Sequence, residues 1–189
     1  MMLPITAYGH PTLKKVGEEI DKDYPGLEQL IEDMFETMYN SKGVGLAAHQ
    51  INRAIRLFVI DANLYGDEYE EAKDFKKIFI NAKITSFEGD DWEVEEGCLS
   101  VPGINEFVKR KSVIKITYFD ENFVKHEKIF DGMLSRIIQH EYDHTEGTVF
   151  VERLPQIKKM LLKRKLNDIS IGKSTANYKM IYPRKKAKR

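Results

Sequence analysis

Residues 131–147 read DGMLSRIIQHEYDHTEG, and the reading of the whole chain turns on them. Asp131 can cap free N–H groups where a helix starts, and Gly147 suits the left-handed position where one ends. Between them Met133, Ile137, His140 and His144 step by four, three and four residues, so a helix sets all four on one face. Inside it, His140-Glu141-Tyr142-Asp143-His144 has the form H-E-x-x-H. One helical turn brings both imidazoles close enough to hold a single ion, with Glu141 beside them facing a metal-bound water. The spacing supplies two ligands and a base. Two unrelated histidines would need neither a capping residue before them nor a glycine after them.

An active metal centre needs a third protein ligand and one open position. No histidine follows His144, so the downstream candidates are the acids Glu146, Glu152 and Asp168. Cys98, the single cysteine, is the alternative. It sits in Glu96-Gly97-Cys98-Leu99-Ser100 after a strand-like run, and Gly97 lets backbone approach a ligand closely. A lone cysteine is more often a small buried apolar residue. Spacing alone therefore leaves two enzymes open, an H-E-x-x-H zinc peptidase with an acid ligand and a cysteine-ligated hydrolase. A binding module with a structural metal would call for four ligands, and only three are convincing.

The segments before the motif are strand-like: Ile55 to Asp61, Lys77 to Ile84, Trp92 to Glu95, Val113 to Phe119 and Phe123 to Phe130. Asp120-Glu121-Asn122 predicts a hairpin turn between the last two. A first helix is predicted from Leu27 to Asn40, where Leu27, Leu30, Ile31, Met34, Phe35 and Met38 recur at helical spacing after Pro25-Gly26. A third is predicted after Pro155, with Ile157, Met160, Leu161 and Leu166 as its apolar side. Ala62 to Asp74 is acidic and weakly periodic, and reads as an exposed loop. Strands followed by helices in unequal segments make the fold class α+β. The expected architecture is antiparallel or mixed β-sheets around a central helix carrying the H-E-x-x-H motif, with N-terminal and C-terminal helices.

A chain of 189 residues with 42% hydrophobic and 32% charged residues fits one domain with a real core. No run approaches the ~18 apolar residues of a membrane span. Met1-Met2-Leu3-Pro4-Ile5-Thr6 has neither the basic nor the apolar region of a secretory leader, which predicts a cytoplasmic protein without a membrane partner. A single cysteine excludes an intramolecular disulfide and agrees with a reducing compartment. The net charge of zero conceals a polarised distribution. Pro155 to Arg189 holds twelve Lys or Arg against Asp168 alone, a balance of +11, so the preceding residues carry −11. The chain divides into a catalytic domain over residues 1–168 and a basic C-terminal tail over 169–189. Such a tail marks a polyanionic partner or a solvated terminus. The alternation from Asn177 to Tyr182 also allows a short docked strand.

Three segments, in order, resemble the signature motifs of the bacterial peptide deformylases: Gly43-Val44-Gly45-Leu46-Ala47-Ala48-His49-Gln50, then Glu96-Gly97-Cys98-Leu99-Ser100, then Gln139-His140-Glu141-Tyr142-Asp143-His144. Leu3-Pro4-Ile5 and Tyr8-Gly9-His10-Pro11-Thr12-Leu13 are similar to that family's amino-terminal segment, so the likeness runs from residue 3 to about 155. Thr145 departs from it, standing where a larger apolar residue is common, and Gly103 to Arg110 does not follow the usual loop.

The resemblance implies hydrolysis of the N-formyl group from the initiator methionine of nascent polypeptides, with release of formate. It implies Cys98, His140 and His144 as ligands of one divalent ion, Fe(II) in the cell, with Zn(II), Ni(II) or Co(II) able to take its place. Glu141 would serve as general base and acid, and the Gln50 side-chain amide and Leu99 backbone N–H as oxyanion donors. The glycines of Gly43-Val44-Gly45 let an extended peptide add alongside as a strand, which makes Val44, Gly45 and Gly97 substrate contacts. Met133 and Ile137, on the face of His140, would line the methionine pocket with Val44. His10, His49 and His126 read as structural. The implied partners are N-formylmethionyl peptides and nascent chains. A ribosome contact would run through the basic C-terminal helix and tail, at Lys158, Lys159, Lys163, Arg164 and Lys165, with Arg184, Lys185, Lys186, Lys188 and Arg189 as a supplement.

Overall fold

The apolar spacing before the first glycine turn folds as helix α1 (Leu27–Asn40) in the computed structural model, which describes residues 1–174 and 176–183. The predicted bounds hold. Five strands follow: β2 (Gly45–Ala47), β3 (Leu57–Asp61), β4 (Lys76–Gly97), β5 (Asn105–Phe119) and β6 (Lys125–Phe130). They form one antiparallel sheet in sequence order, with β2 at an edge. Strand β3, next to that edge, is apolar on both faces because both are covered. Leu57 and Val59 pack with Met34 and Met38 of α1, while Phe58 and Ile60 pack with Ile137 and Ile138 of helix α2 (Gly132–Thr145). The H-E-x-x-H helix is thus the central one, in an α+β fold.

Three local expectations change. Lys77–Ile84 and Trp92–Glu95, read as separate strands, are parts of the single strand β4. Gly89-Asp90-Asp91 carries the signature of a turn, yet the chain passes through it as an irregularity in the ladder, with Gly89 at φ +72°, and pairing with β5 resumes at Asp91↔Lys111. β5 begins at Asn105 rather than Val113, because one of its inward positions is taken by Arg110, a residue that hides a strand's apolar alternation. Ala62–Asp74 is less exposed than its composition implies: Ala62 and Ala72 are buried, and the Glu71 carboxylate accepts from the Met133 N–H at 3.4 Å. That contact serves the start of α2. Asp131 occupies the N-cap position, but its side chain makes no capping bond. Gly147 is left-handed, φ +72°, as expected.

Helix α3 (Gln156–Ser170) follows Pro155 as predicted, but of the four residues expected on its apolar side only Leu166 enters the core. Ile157, Met160 and Leu161 are 70%, 66% and 77% exposed, whereas Leu162, Leu166 and Ile169 enter the core. Apolar residues stand on both sides of this helix, so periodicity offers two faces, and Val151, Leu154 and Phe150 receive the second. The chain then returns. Strand β7 (Met180–Ile181) pairs in parallel with β1 (Ile5–Thr6), so part of the basic tail is a docked strand. The boundary drawn at residue 168 falls inside α3. Arg184, Lys185, Lys186, Lys188 and Arg189 lie outside the described residues.

The docking face of α3 can be read in stability. Leu166→Ala should lower the unfolding free energy in urea by about 2–3 kcal/mol, and Leu161→Ala should change it by less than about 0.5 kcal/mol. The reverse order would place the wrong face inside.

Candidate metal centre

The β4–β5 ladder closes at Gly97↔Asn105, and the residue that leaves it is Cys98. Its sulfur lies 3.4 Å from Nε2 of His144, and the ligand atoms of Cys98, His140 and His144 all fall within 4.8 Å of one another. A tetrahedral ion with N and S ligands at about 2.0–2.3 Å keeps those atoms roughly 3.3–3.6 Å apart. The Cys98–His144 separation already has that spacing, and the chemistry of the donor set fits a divalent cation. It is the one such cluster of His, Cys and acids among the described residues. Glu146 pairs with Arg56 at 2.6 Å and Glu152 with Lys14, and neither they nor Asp168 belong to the cluster. The ligand set of the alternative zinc peptidase is not assembled.

Glu96 orients the cluster. Its carboxylate accepts from His140 Nδ1 at 2.8 Å, from Arg110 Nε and Nη2 at 2.6 and 2.9 Å, and from Arg136 Nη1 at 2.9 Å. The bond to Nδ1 leaves His140 Nε2 as the free ligand atom. Arg110 continues the network to Asp143 at 2.7 Å, and Asp143 is also paired with Arg153. Burial alone would raise the Glu96 carboxyl, but Arg110 and His140 outweigh it and hold Glu96 well below the usual carboxylate range. Burial likewise opposes a charge on His140, and there the Cys98 sulfur and Glu96 prevail, raising it. His144 is held well below an ordinary imidazole by burial and by the neighbouring His140. Sequence reading assigns Glu96, Arg110, Arg136 and Asp143 no role. The available signal is an arginine at an inward position of a strand.

The cluster opens into a cleft of about 740 Å³. Val44, Gly45, Gln50, Gly97, Leu99, Met133, Ile137, His140 and Glu141 all border it, so the sequence-derived site converges there, while His144 is fully buried behind. Met133 and Ile137 belong at once to the cleft wall and to the core under the sheet. Gln50 is held by its oxygen, which accepts from the Ala47 N–H at 2.8 Å, so its amide nitrogen faces Cys98 Sγ at 3.4 Å. Glu141 is buried with Oε2 unpartnered, and burial pushes its carboxyl up to about 7 against the pull of His140. It fits because Gly45 has no side chain: a Cβ there would stand 2.4 Å from Glu141 Oε1. Thr145 donates to the Tyr142 carbonyl at 2.7 Å and is buried without strain. Tyr178, also unassigned from sequence, borders the cleft and donates to the Leu99 carbonyl at 2.8 Å.

Glu96→Gln should show both sides of the network. Loss of its charge leaves Arg110 and Arg136 short of a buried partner, a cost of about 3 kcal/mol in urea unfolding. Metal affinity, read by chelator competition, should fall about 10- to 100-fold. A variant matching wild type in both would remove Glu96 from this role.

Known proteins share this fold. A profile of the polypeptide deformylase family matches residues 2–160. The peptide deformylase of Flavobacterium johnsoniae is 48% identical over 187 residues, covering 95% of each chain. The crystal structure of peptide deformylase from Thermus thermophilus superposes with a TM-score of 0.79 at 38% identity, over 89% of this chain and 98% of that one. The peptide deformylase from Synechococcus elongatus in complex with actinonin gives 0.75 at 32%, over 95% and 92%. The family match and these relatives together establish that the chain belongs to the polypeptide deformylase family of metal-dependent hydrolases.

Proposed function

We infer that the chain hydrolyses the N-formyl group of newly made polypeptides, with Cys98, His140 and His144 as the metal ligands and Glu141 as the proton carrier. The observation that carries this reading is the convergence of one thiol, two imidazoles and an unpartnered buried carboxylate at the floor of one cleft. A divalent cation supplies Lewis acidity there, lowering the pKa of water and polarising the formyl carbonyl. Glu141 takes a proton from the attacking water and delivers it to the departing nitrogen as the C–N bond breaks, leaving formate and a free amino terminus. The Gln50 amide and the Leu99 N–H are the donors we assign to the oxyanion. Gln50 suits the part because its oxygen is already spent on Ala47, which fixes its nitrogen toward the site.

The substrate's main chain would run along edge strand β2, beside Gly43-Val44-Gly45. Val44, Met133 and Ile137 offer the apolar wall for a methionine side chain, and Gly97 the close backbone approach. The ion we assign in the cell is Fe(II). The family resemblance supports iron in particular, whereas a thiolate with two imidazoles also accepts zinc, nickel or cobalt. Among the described residues no helix is long and apolar enough to cross a membrane. A cytoplasmic site of action agrees with a nascent-chain substrate.

Glu141→Gln should retain the metal and lose at least about 100-fold in formate release from formyl-Met-Ala-Ser, because an amide cannot carry the proton. Gly45→Ala should be comparably impaired, since its Cβ displaces the Glu141 carboxylate. Activity within tenfold of wild type in a metal-loaded Glu141→Gln variant would remove the assigned role.

The basic helix is the surface we assign to the ribosome. Lys158 is bonded to Glu106 at 2.7 Å, whereas Lys159, Lys163, Arg164 and Lys165 make no ion pair among the described residues and remain available to phosphates. Reversing the charge of Lys163, Arg164 and Lys165 should weaken co-sedimentation with ribosomes at low salt and leave turnover of a short formyl peptide intact. Unchanged pelleting would end the docking proposal without touching the catalytic one.

A further inference from the structure

We propose that Tyr178 is a positioning residue for the turn that carries Cys98 and Leu99, holding that turn in register through its hydroxyl. The Val101 N–H donates to the Cys98 carbonyl at 2.8 Å and closes a four-residue turn whose central peptide joins Leu99 to Ser100. That central peptide is the unit whose orientation separates one turn type from another, so it is the part of a turn that most needs an outside partner. It has one at Leu99: the Tyr178 hydroxyl donates to the Leu99 carbonyl at 2.8 Å. The next carbonyl, that of Ser100, accepts from the Tyr8 N–H at 2.8 Å.

Both anchors issue from the same small parallel sheet. Tyr8 follows β1, and Tyr178 precedes β7. The two strands are tied by Ile5 N–H to the Lys179 carbonyl at 2.9 Å and Ala7 N–H to the Ile181 carbonyl at 2.8 Å. Tyr178 is therefore held on a paired backbone. Burial pushes its hydroxyl up to about 12, so it stays protonated and remains a donor. It lies in the returning C-terminal segment, beyond residue 160 where the family match ends, and that segment adds a constraint to the site.

The consequence rests on the deformylase reading above. If the Leu99 N–H meets the oxyanion, a turn free to tilt loses contact in the transition state more than in the bound substrate. The loss then appears in kcat and not in KM. Tyr178→Phe removes the hydroxyl and keeps the ring. The expected result is a fall in kcat of about 3- to 10-fold, the worth of one hydrogen bond, with KM and Tm near wild type. The amide nitrogen-15 shift of Ser100, whose peptide carbonyl loses its donor, should move together with Leu99, while amides of α1 stay in place. Wild-type formate release, measured alongside, fails only if the deformylase reading fails, and the amide shifts do not depend on it. An unmoved Ser100 amide, a kcat within about twofold of wild type, or a change confined to KM or to Tm would each overturn the proposal.

Discussion

Glu96 is a buried carboxylate whose oxygens are claimed by an imidazole and two guanidinium groups, and the site depends on that one arrangement. A single buried carboxylate is costly. Two arginines supply the compensating charge and hydrogen bonds, and a further acid, Asp143, balances the excess positive charge through Arg110. Such a network contributes little net stability over a well-packed apolar core, and its effect is geometric: it joins β4, β5 and α2 at one point. His140 is fixed in ring orientation, and Cys98 leaves β4 two residues after Glu96. The same carboxylate thus bears on the positions of two candidate ligands from two different elements.

The fold exists around that junction in a recognisable way. The two-sided burial of β3 fixes α1 and α2 on opposite faces of the sheet, and α2 then presents His140, Glu141 and His144 toward the end of the long β4–β5 hairpin. Edge strand β2 brings Gly45 against Glu141 with no space for a side chain. The cleft has its walls because short segments enclose it: the Gly43–Gly45 turn on one side, the Cys98–Val101 turn on another, and the returning C-terminal segment beside it.

Features that obey a residue period or form a short motif are legible in the sequence. Helix α1 is legible because six apolar residues recur at helical spacing, and α2 because a histidine pair shares its face with apolar residues and a glycine ends it. The residues we propose as metal ligands are suggested by the H-E-x-x-H spacing and, for Cys98, by the family resemblance, and the structure brings their donor atoms together. Long-range partners are not legible. Arg110 reads as the end of a loop until β4 is paired beside it, and Tyr178 carries no pattern linking it to a turn far earlier in the chain. The buried face of α3 shares only Leu166 with the expected one because periodicity offers this helix two apolar stripes and only the receiving surface chooses between them. β4 reads as two strands because a Gly-Asp-Asp run is a turn signal locally, and only a continuing ladder shows that the chain goes straight through.

The central claim is a three-ligand centre of one thiolate and two imidazoles, held open to the cleft. X-ray absorption at the metal edge of anaerobically isolated protein reads this shell directly and identifies the ion by its edge. An iron edge is expected, with one sulfur scatterer at about 2.3 Å and two imidazole nitrogens, the remaining contact being a light oxygen atom. A first shell of nitrogen and oxygen alone, with no sulfur, would contradict it.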